Sequence, residues 1–339
     1  MSVESLAETP AEVSPPSATL RWLRQFAVLL PFVGVAWLAW DFPPQNWWST
    51  AFWLCWTSYF LFCWTSLFHE TVHLTLPKPR WFTVILGRAI GTVLLTPYTV
   101  YREAHIRHHA YLNRPNDWEL WPYSDPHCSL GFRRAFAWAD LVLGLFTSPY
   151  IYSRIYFHPT SPIRDPSTRR AIRNEYLAVV IFWGAILGWV SWVQAWPQFL
   201  LAWVIPHWLA GIVQTGRKFT EHLGMSSFEP VSGTRTVVSR SPITRLCSFL
   251  NFEIFVHGPH HRFPRIQHHE LKNRMQALIQ QEPETIYPLY SSYLAATWAM
   301  LPALLYRPGV GLNAGGNLNQ VSRDDVQEFV EDARELTVA

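Results

Sequence analysis

The sequence predicts an all-α integral membrane protein: four transmembrane helices in two hairpins, with interfacial helices and a cytoplasmic histidine-rich cap. Three observations predict it. Only 15% of the 339 residues are charged while 16% are aromatic, with 19 Trp, whereas soluble domains carry about 25% charged residues. Uncharged runs recur at the length of roughly 20 residues that a helix needs to cross about 30 Å of hydrocarbon. Eight of the 14 histidines fall into three short clusters and a ninth, His222, stands alone, all on one side of the predicted membrane.

Taken in order, residues 1–18 (MSVESLAETPAEVSPPSA) are acidic and rich in Pro and Ser. They lack the basic start and short apolar run of a cleavable signal and read as a disordered tail. The first span runs from Leu20 to Trp40, with Arg21 and Arg24 at its start. The second, Trp47 to Phe68, and the third and fourth, Tyr176 to Trp196 and Phe199 to Gly216, contain no Asp, Glu, Lys or Arg. Trp and Tyr collect at their ends as interface anchors.

Two further apolar stretches, residues 81–100 and 135–157, contain Arg88, Asp140 and Arg154, charges that are costly in a lipid-exposed span. They read as interfacial or re-entrant helices. Only 31 residues separate His73 from His105, too few for two crossings and a turn. Ile286 to Tyr306 is also placed at the interface, because a crossing would strand Arg307, Arg323 and Arg334 on the wrong side. The membrane domain is therefore drawn over residues 19–306. A C-terminal cytoplasmic tail, 307–339, follows, whose end DDVQEFVEDARELTVA suits a short amphipathic helix.

Orientation follows from the basic residues. The two hairpin turns, DFPPQN and QAWPQF, contain no Lys or Arg, so all 27 basic residues lie on the other side, read as cytoplasmic together with both termini. The net charge of +3 expresses this asymmetry beside anionic lipid and not a nucleic-acid footprint. The four cysteines form no Cys-x-x-Cys pair, which indicates neither a disulfide framework nor a zinc finger.

The histidines carry the chemistry. His69 and His73 are four apart in HETVH; His105, His108 and His109 form HIRHH; His257, His260 and His261 form HGPHH; His222 follows Glu221 in EHLG. On a helix, positions i, i+3 and i+4 share a face, so each His-x-x-His-His box aims two or three imidazoles at one point. A lone His-x-x-x-His is ordinarily helix surface; three boxes and an extra histidine on one side are not. Nine imidazoles exceed the needs of one ion. They suit two ions of four or five nitrogen ligands each, a di-metal site with positions left for water or O2, and redox-active iron is the natural candidate.

On these boxes the sequence resembles the membrane fatty-acid desaturase and hydroxylase superfamily, the non-haem di-iron enzymes with histidine boxes, over roughly residues 47–280. The stretch HHAYLNRPNDWEL resembles the family's HHxxTNxPxDPE region, and His222 matches an additional histidine after the fourth span. The resemblance implies that His69, His73, His105, His108, His109, His222, His257, His260 and His261 are the ligands of two iron ions (Fe2+/Fe3+), with O2 as co-substrate. It implies an oxidoreductase, a fatty acyl or lipid desaturase. Acyl-CoA desaturases place an Asn four residues before the extra histidine to hold a water on the metal. Here that position is Lys218, which leaves the tenth position open, with Asn251 as a candidate. Of the carboxylates near the boxes (Glu70, Glu103, Asp117, Glu221 and Glu270), Asp117 and Glu221 rank highest for orienting imidazoles, with Glu70 behind them. His207 reads as a polar contact between helices, and His127, His158, His268 and His269 as surface, with the last pair alternatively placed behind the ligands.

Two other classes compete. A membrane zinc metallopeptidase would use His69 and His73 as ligands and Glu70 as general base, leaving seven patterned histidines idle. A non-enzymatic receptor with a structural metal would not need so many exchangeable ligands. Within the superfamily, a hydroxylase or ketolase acting on an alkane, carotenoid or sterol-like lipid shares fold and ligands with a desaturase. The substrate is a lipid or acyl chain entering from the bilayer, with Arg102, Arg107 and Arg217 as candidates for its head group. No dinucleotide fingerprint, haem motif or cysteine cluster appears. Electrons are therefore expected from a separate ferredoxin, rubredoxin or small cytochrome with its reductase.

Overall fold

The computed structural model describes residues 17–76 and 79–318. Most of the tail expected at residues 1–18, and the amphipathic helix expected at the C-terminus, lie outside the described residues. The chain divides into two compact units, residues 17–102 with 139–216, and residues 103–138 with 217 onward. The protein is predominantly helical, and the sheet among the described residues is a single parallel pair of two-residue strands.

The first unit contains the long apolar helices. Helix α1 (Ala18–Asp41) packs on α2 (Trp47–His73), with Phe32 edge-on to Trp64 at 4.8 Å and the Trp64 indole N–H donating to the Val28 carbonyl at 3.2 Å. Asn46 starts α2 by accepting the Ser49 backbone N–H at 2.9 Å, which satisfies one of the donors every helix leaves open at its N-terminus. The helix runs past the predicted end at Phe68 to His73 and stops at Leu74 in a left-handed conformation, φ 57°. HETVH therefore forms the last turns of a span.

The stretch predicted at 81–100 breaks in two. Helix α3 (Arg80–Val93) and α4 (Tyr98–Ala110) are bent by 102°, at a turn where Leu95 has φ 58° and Pro97 cannot continue the ladder. The Glu175 carboxylate caps the new helix, accepting the Thr99 backbone N–H and hydroxyl at 2.7 Å each, and also Arg88 Nε at 2.9 Å. Residues 135–157 likewise fall into α5 (Leu130–Val142) and α6 (Gly144–Phe157).

Helix α7 (Pro166–Trp192) begins with Asp165 accepting the Thr168 N–H at 2.7 Å, and α8 (Trp196–His222) runs on from Gly216 to His222. Among the described residues, four helices are long and apolar enough to cross a membrane: Leu23–Asp41, Trp47–His73, Pro166–Trp192 and Trp196–His222. Leu177, Val180, Ile181 and Trp192 are exposed along α7. Such a stripe is an aggregation liability in water and an ordinary lipid-facing surface in a bilayer.

The second unit begins within α4 and includes α9 (Pro242–Leu250), α10 (His257–Arg262), α11 (Leu271–Gln281) and α12 (Tyr293–Tyr306). Strands β1 (Thr236–Val237) and β2 (Leu289–Tyr290) pair in parallel. Val256, Leu271, Met275 and Ile279 form a buried apolar core beside α10. Helix α12 has 14 residues, about 21 Å at 1.5 Å per residue, short of a full crossing.

The chain does not leave the packing at residue 306, where the sequence suggested a boundary. The Pro308 carbonyl accepts from Arg133 Nη1 at 3.0 Å, Val310 N–H donates to the Tyr123 carbonyl at 3.1 Å, and Gly311 N–H to that of Met225 at 2.8 Å. Gly311 has φ 54°, and a Cβ there would lie 2.0 Å from the Asn113 carbonyl oxygen, so only glycine fits.

Candidate metal centre

In the second unit, the part of α4 from Glu103 onward, α10 and the last residues of α8 present seven of the nine box histidines. Helix α4 puts His105, His108 and His109 on one face, α10 does the same for His257, His260 and His261, and α8 ends on His222. All seven are buried. Arg235 holds the end of α8 by donating to the Thr220 and Leu223 carbonyls at 3.1 and 2.8 Å, the usual service of a cation at a helix C-terminus.

Their Nε2 atoms converge. His109 Nε2 is 3.1 Å from Nε2 of both His105 and His260, and His257 Nε2 is 2.8 Å from that of His222 and 3.1 Å from that of His261. Ligating atoms of His108, His222 and His261 also lie within 4.8 Å of one another. A neutral imidazole has one N–H and one lone pair, so nitrogens crowded this way cannot all be satisfied by each other. Two nitrogens bound to one ion at about 2.1 Å stand roughly 3 Å apart when cis, which is the spacing seen. Burial pushes the His261 imidazole well below its ordinary pKa, with the neighbouring histidines adding to the effect, and so keeps it in the neutral form a metal needs. The donor set fits a transition metal.

In the first unit, His69 is buried and His73 half-buried one turn on, their rings 4.7 Å apart. Helical spacing alone accounts for this pair.

Carboxylates lie behind the imidazoles. Asp117 Oδ2 is 2.8 Å from His108 Nδ1 and also accepts the Asn113 N–H at 3.2 Å. Asn113 occupies the left-handed region at φ 60°, where Asn is among the favoured non-glycine residues. Its side-chain amide ties the loop to the Ser227 and Gly233 carbonyls at 2.8 and 2.9 Å. Glu119 Oε2 is 3.0 Å from His105 Nδ1; sequence reasoning missed this residue, whose signal was only its place two residues beyond Asp117. Glu70 Oε1 is 3.3 Å from His69 Nδ1.

The remaining candidates fall elsewhere. Glu221 lies on the Nε2 side of His257 at 3.6 Å, not behind an imidazole. Asn251 is buried and donates to the Cys247 carbonyl at 2.9 Å. The Lys218 ammonium lies over the Phe219 ring at 5.4 Å. Glu103 pairs with Arg107 at 2.6 Å, and Glu221 with Arg217 at 3.2 Å. Arg102, Arg107 and Arg217 are all buried, which removes them as exposed head-group contacts. His268, expected at the surface, is buried with its ring 5.4 Å from Phe252; His127 is exposed as expected. His207 packs edge-on to Trp203 at 4.6 Å.

Fold and site together define a helical membrane protein built around a buried polyhistidine cluster backed by carboxylates. Residues 45–293 match the fatty acid desaturase family, and the chain belongs to that family. It is 24% identical over 222 residues to the chloroplastic omega-6 fatty acid desaturase of Spinacia oleracea, covering 62% of this chain and 49% of that one. It is 25% identical over 254 residues to the sn-1 acyl-lipid omega-3 desaturase (ferredoxin) of Synechocystis sp., covering 68% of each. With the fatty acid desaturase of Bacillus subtilis it shares 28% identity over 225 residues, 61% of each chain. The chain thus spans about half the length of the spinach relative.

Proposed function

We propose that the protein is an O2-dependent desaturase that inserts a double bond into a fatty acyl or lipid chain, using two iron ions held by the nine box histidines. The observation that carries this reading is the convergence of Nε2 atoms to 2.8–3.1 Å with Asp117 and Glu119 on the opposite ring nitrogens. In the second unit, His108, His222, His257 and His261 form one donor set and His105, His109 and His260 the other. His69 and His73 are proposed as ligands on the resemblance of HETVH to the first box.

Iron bound there supplies the O2 chemistry that takes hydrogen from an unactivated methylene pair. In balance, the chain loses two hydrogens as a C–C single bond becomes double, a donor adds two electrons and two protons arrive from solvent, and O2 leaves as two waters. The chain's own residues orient and shield. Asp117 and Glu119 hold the Nδ1 protons of His108 and His105, so that Nε2 offers its lone pair, and burial keeps bulk water away.

The substrate is drawn from the bilayer. The distribution of basic residues supports a cytoplasmic side for the boxes and both termini, where a separate donor would dock. The name of the Synechocystis relative favours ferredoxin over rubredoxin or a small cytochrome.

Glu70 speaks against the zinc peptidase. Its Oε1 faces His69 Nδ1 at 3.3 Å and its Oε2 accepts from the Thr75 hydroxyl at 2.7 Å, whereas a general base has to face the reacting water. Lipid profiling of cells that express the chain, with and without O2, tests the proposal. New unsaturated chains only under O2 support it, and hydroxylated or keto products move the assignment to the hydroxylase or ketolase reading.

A further inference from the structure

Three carboxylates approach a box histidine from its Nδ1 side: Asp117 at His108, Glu119 at His105 and Glu70 at His69. Glu221 does not. Its Oε2 lies 3.6 Å from Nε2 of His257, the same atom that meets His222 Nε2 at 2.8 Å and His261 Nε2 at 3.1 Å. Ligating atoms of Glu221, His222 and His257 all fall within 4.8 Å of one another. The carboxylate oxygen stands among the converging nitrogens, on the side where an ion belongs.

The distances agree with shared coordination. Two ligand atoms each about 2.0–2.2 Å from one ion are separated by roughly 3 Å when cis and just over 4 Å when trans, and 3.6 Å lies between. Arg217, one turn earlier on α8, places Nη1 at 3.3 and 3.2 Å from the two Glu221 oxygens. Both residues are buried, 6% and 3% exposed, and the pair fixes the position of the carboxylate. Lys218, a turn before His222, offers no oxygen donor.

We propose that Glu221 is a direct oxygen ligand of the ion held by His108, His222, His257 and His261. That position then has mixed carboxylate and imidazole ligation, while the set containing His105, His109 and His260 is imidazole alone. An anionic hard donor at one position only makes the two irons chemically distinct. The proposal rests on reading the histidine cluster as a metal centre, and its test separates the two claims.

The experiment is Mössbauer spectroscopy and metal analysis of the full-length protein in detergent, loaded with 57Fe, for wild type and Glu221→Gln. Two inequivalent doublets in wild type are expected, with Glu221→Gln shifting one doublet or emptying that position through at least a tenfold loss of affinity, the other unchanged. Because Gln leaves the Arg217 guanidinium buried without its anion, Arg217→Met/Glu221→Gln is measured beside it and is expected to alter the same doublet. Two irons with both doublets unchanged in a folded variant overturn the ligand assignment alone. Wild type that retains no iron overturns the metal centre and the proposal with it.

Discussion

Nδ1 of His108 stands 2.8 Å from Oδ2 of Asp117, and the two side chains are 3% and 0% exposed. Burial pushes the Asp117 carboxyl up from its ordinary pKa, and His108 opposes that rise. In that position the carboxylate fixes the imidazole's tautomer and rotation. Asp117→Asn is predicted to weaken iron binding about 10–100-fold, measured by competition with a chromogenic chelator; unchanged affinity would show that the contact orients nothing that binds metal.

Glu119 serves His105 in the same way but is more accessible, at 14% side-chain exposure. Water can partly replace it there. Glu119→Gln is therefore expected to cost less than Asp117→Asn in the same titration, and the reverse order would contradict the ranking by burial.

Gly311 meets the loop that carries Asp117 at the Asn113 carbonyl. Gly311→Ala forces both a left-handed alanine and a backbone clash, so a loss above about 2 kcal/mol is predicted. The readout is a lower thermal unfolding midpoint in detergent together with reduced iron occupancy. An unshifted midpoint would mean that the 307–318 segment is not part of the packed unit.

Glu175→Ala removes the cap on α4. Arg88 is 51% exposed, so its ion pair contributes little once solvent screening is counted, and the loss falls mainly on the two Thr99 hydrogen bonds. A destabilisation of about 1–2 kcal/mol is expected, and Glu175→Gln, which keeps an acceptor, is expected to recover much of it. Equal losses in both variants would shift the weight to the charge pair.

Metal removal offers a fifth check. A ligand bound at a thousand times its dissociation constant stabilises the folded state by about 4 kcal/mol, so chelation should lower the unfolding midpoint and re-addition of Fe2+ should restore it. No shift on chelation would indicate that the imidazoles hold no ion.

The legible parts of this protein share a cause. Helical periodicity and apolar length are local, so the four spans and the His-x-x-His-His faces follow from the sequence within a turn or two of helix, except that α7 starts at Pro166, well before the predicted Tyr176, because its first turns are polar. HETVH and EHLG were expected at span ends, and α2 reaches His73 while α8, through a π-helical turn at Leu200–Val204, reaches His222. Glu119 was not legible because the turns at Asn113 and Asp117, not helical spacing, return it to His105. The burial of His268 against Phe252, and the return of residues 307–318 onto Tyr123 and Met225, depend on partners far away in the chain. The pairing of Arg107 with Glu103 and of Arg217 with Glu221 was not legible either, because a basic residue at a membrane edge looks the same whether it faces lipid or a glutamate one turn away.

The most direct test is the metal content of detergent-purified protein, wild type against His108→Ala/His260→Ala and against His69→Ala. The account predicts about two irons per chain in wild type, as expected for nine imidazoles shared between two ions, and their loss in the double variant. One zinc per chain, kept in the double variant and lost in His69→Ala, would contradict it and restore the peptidase.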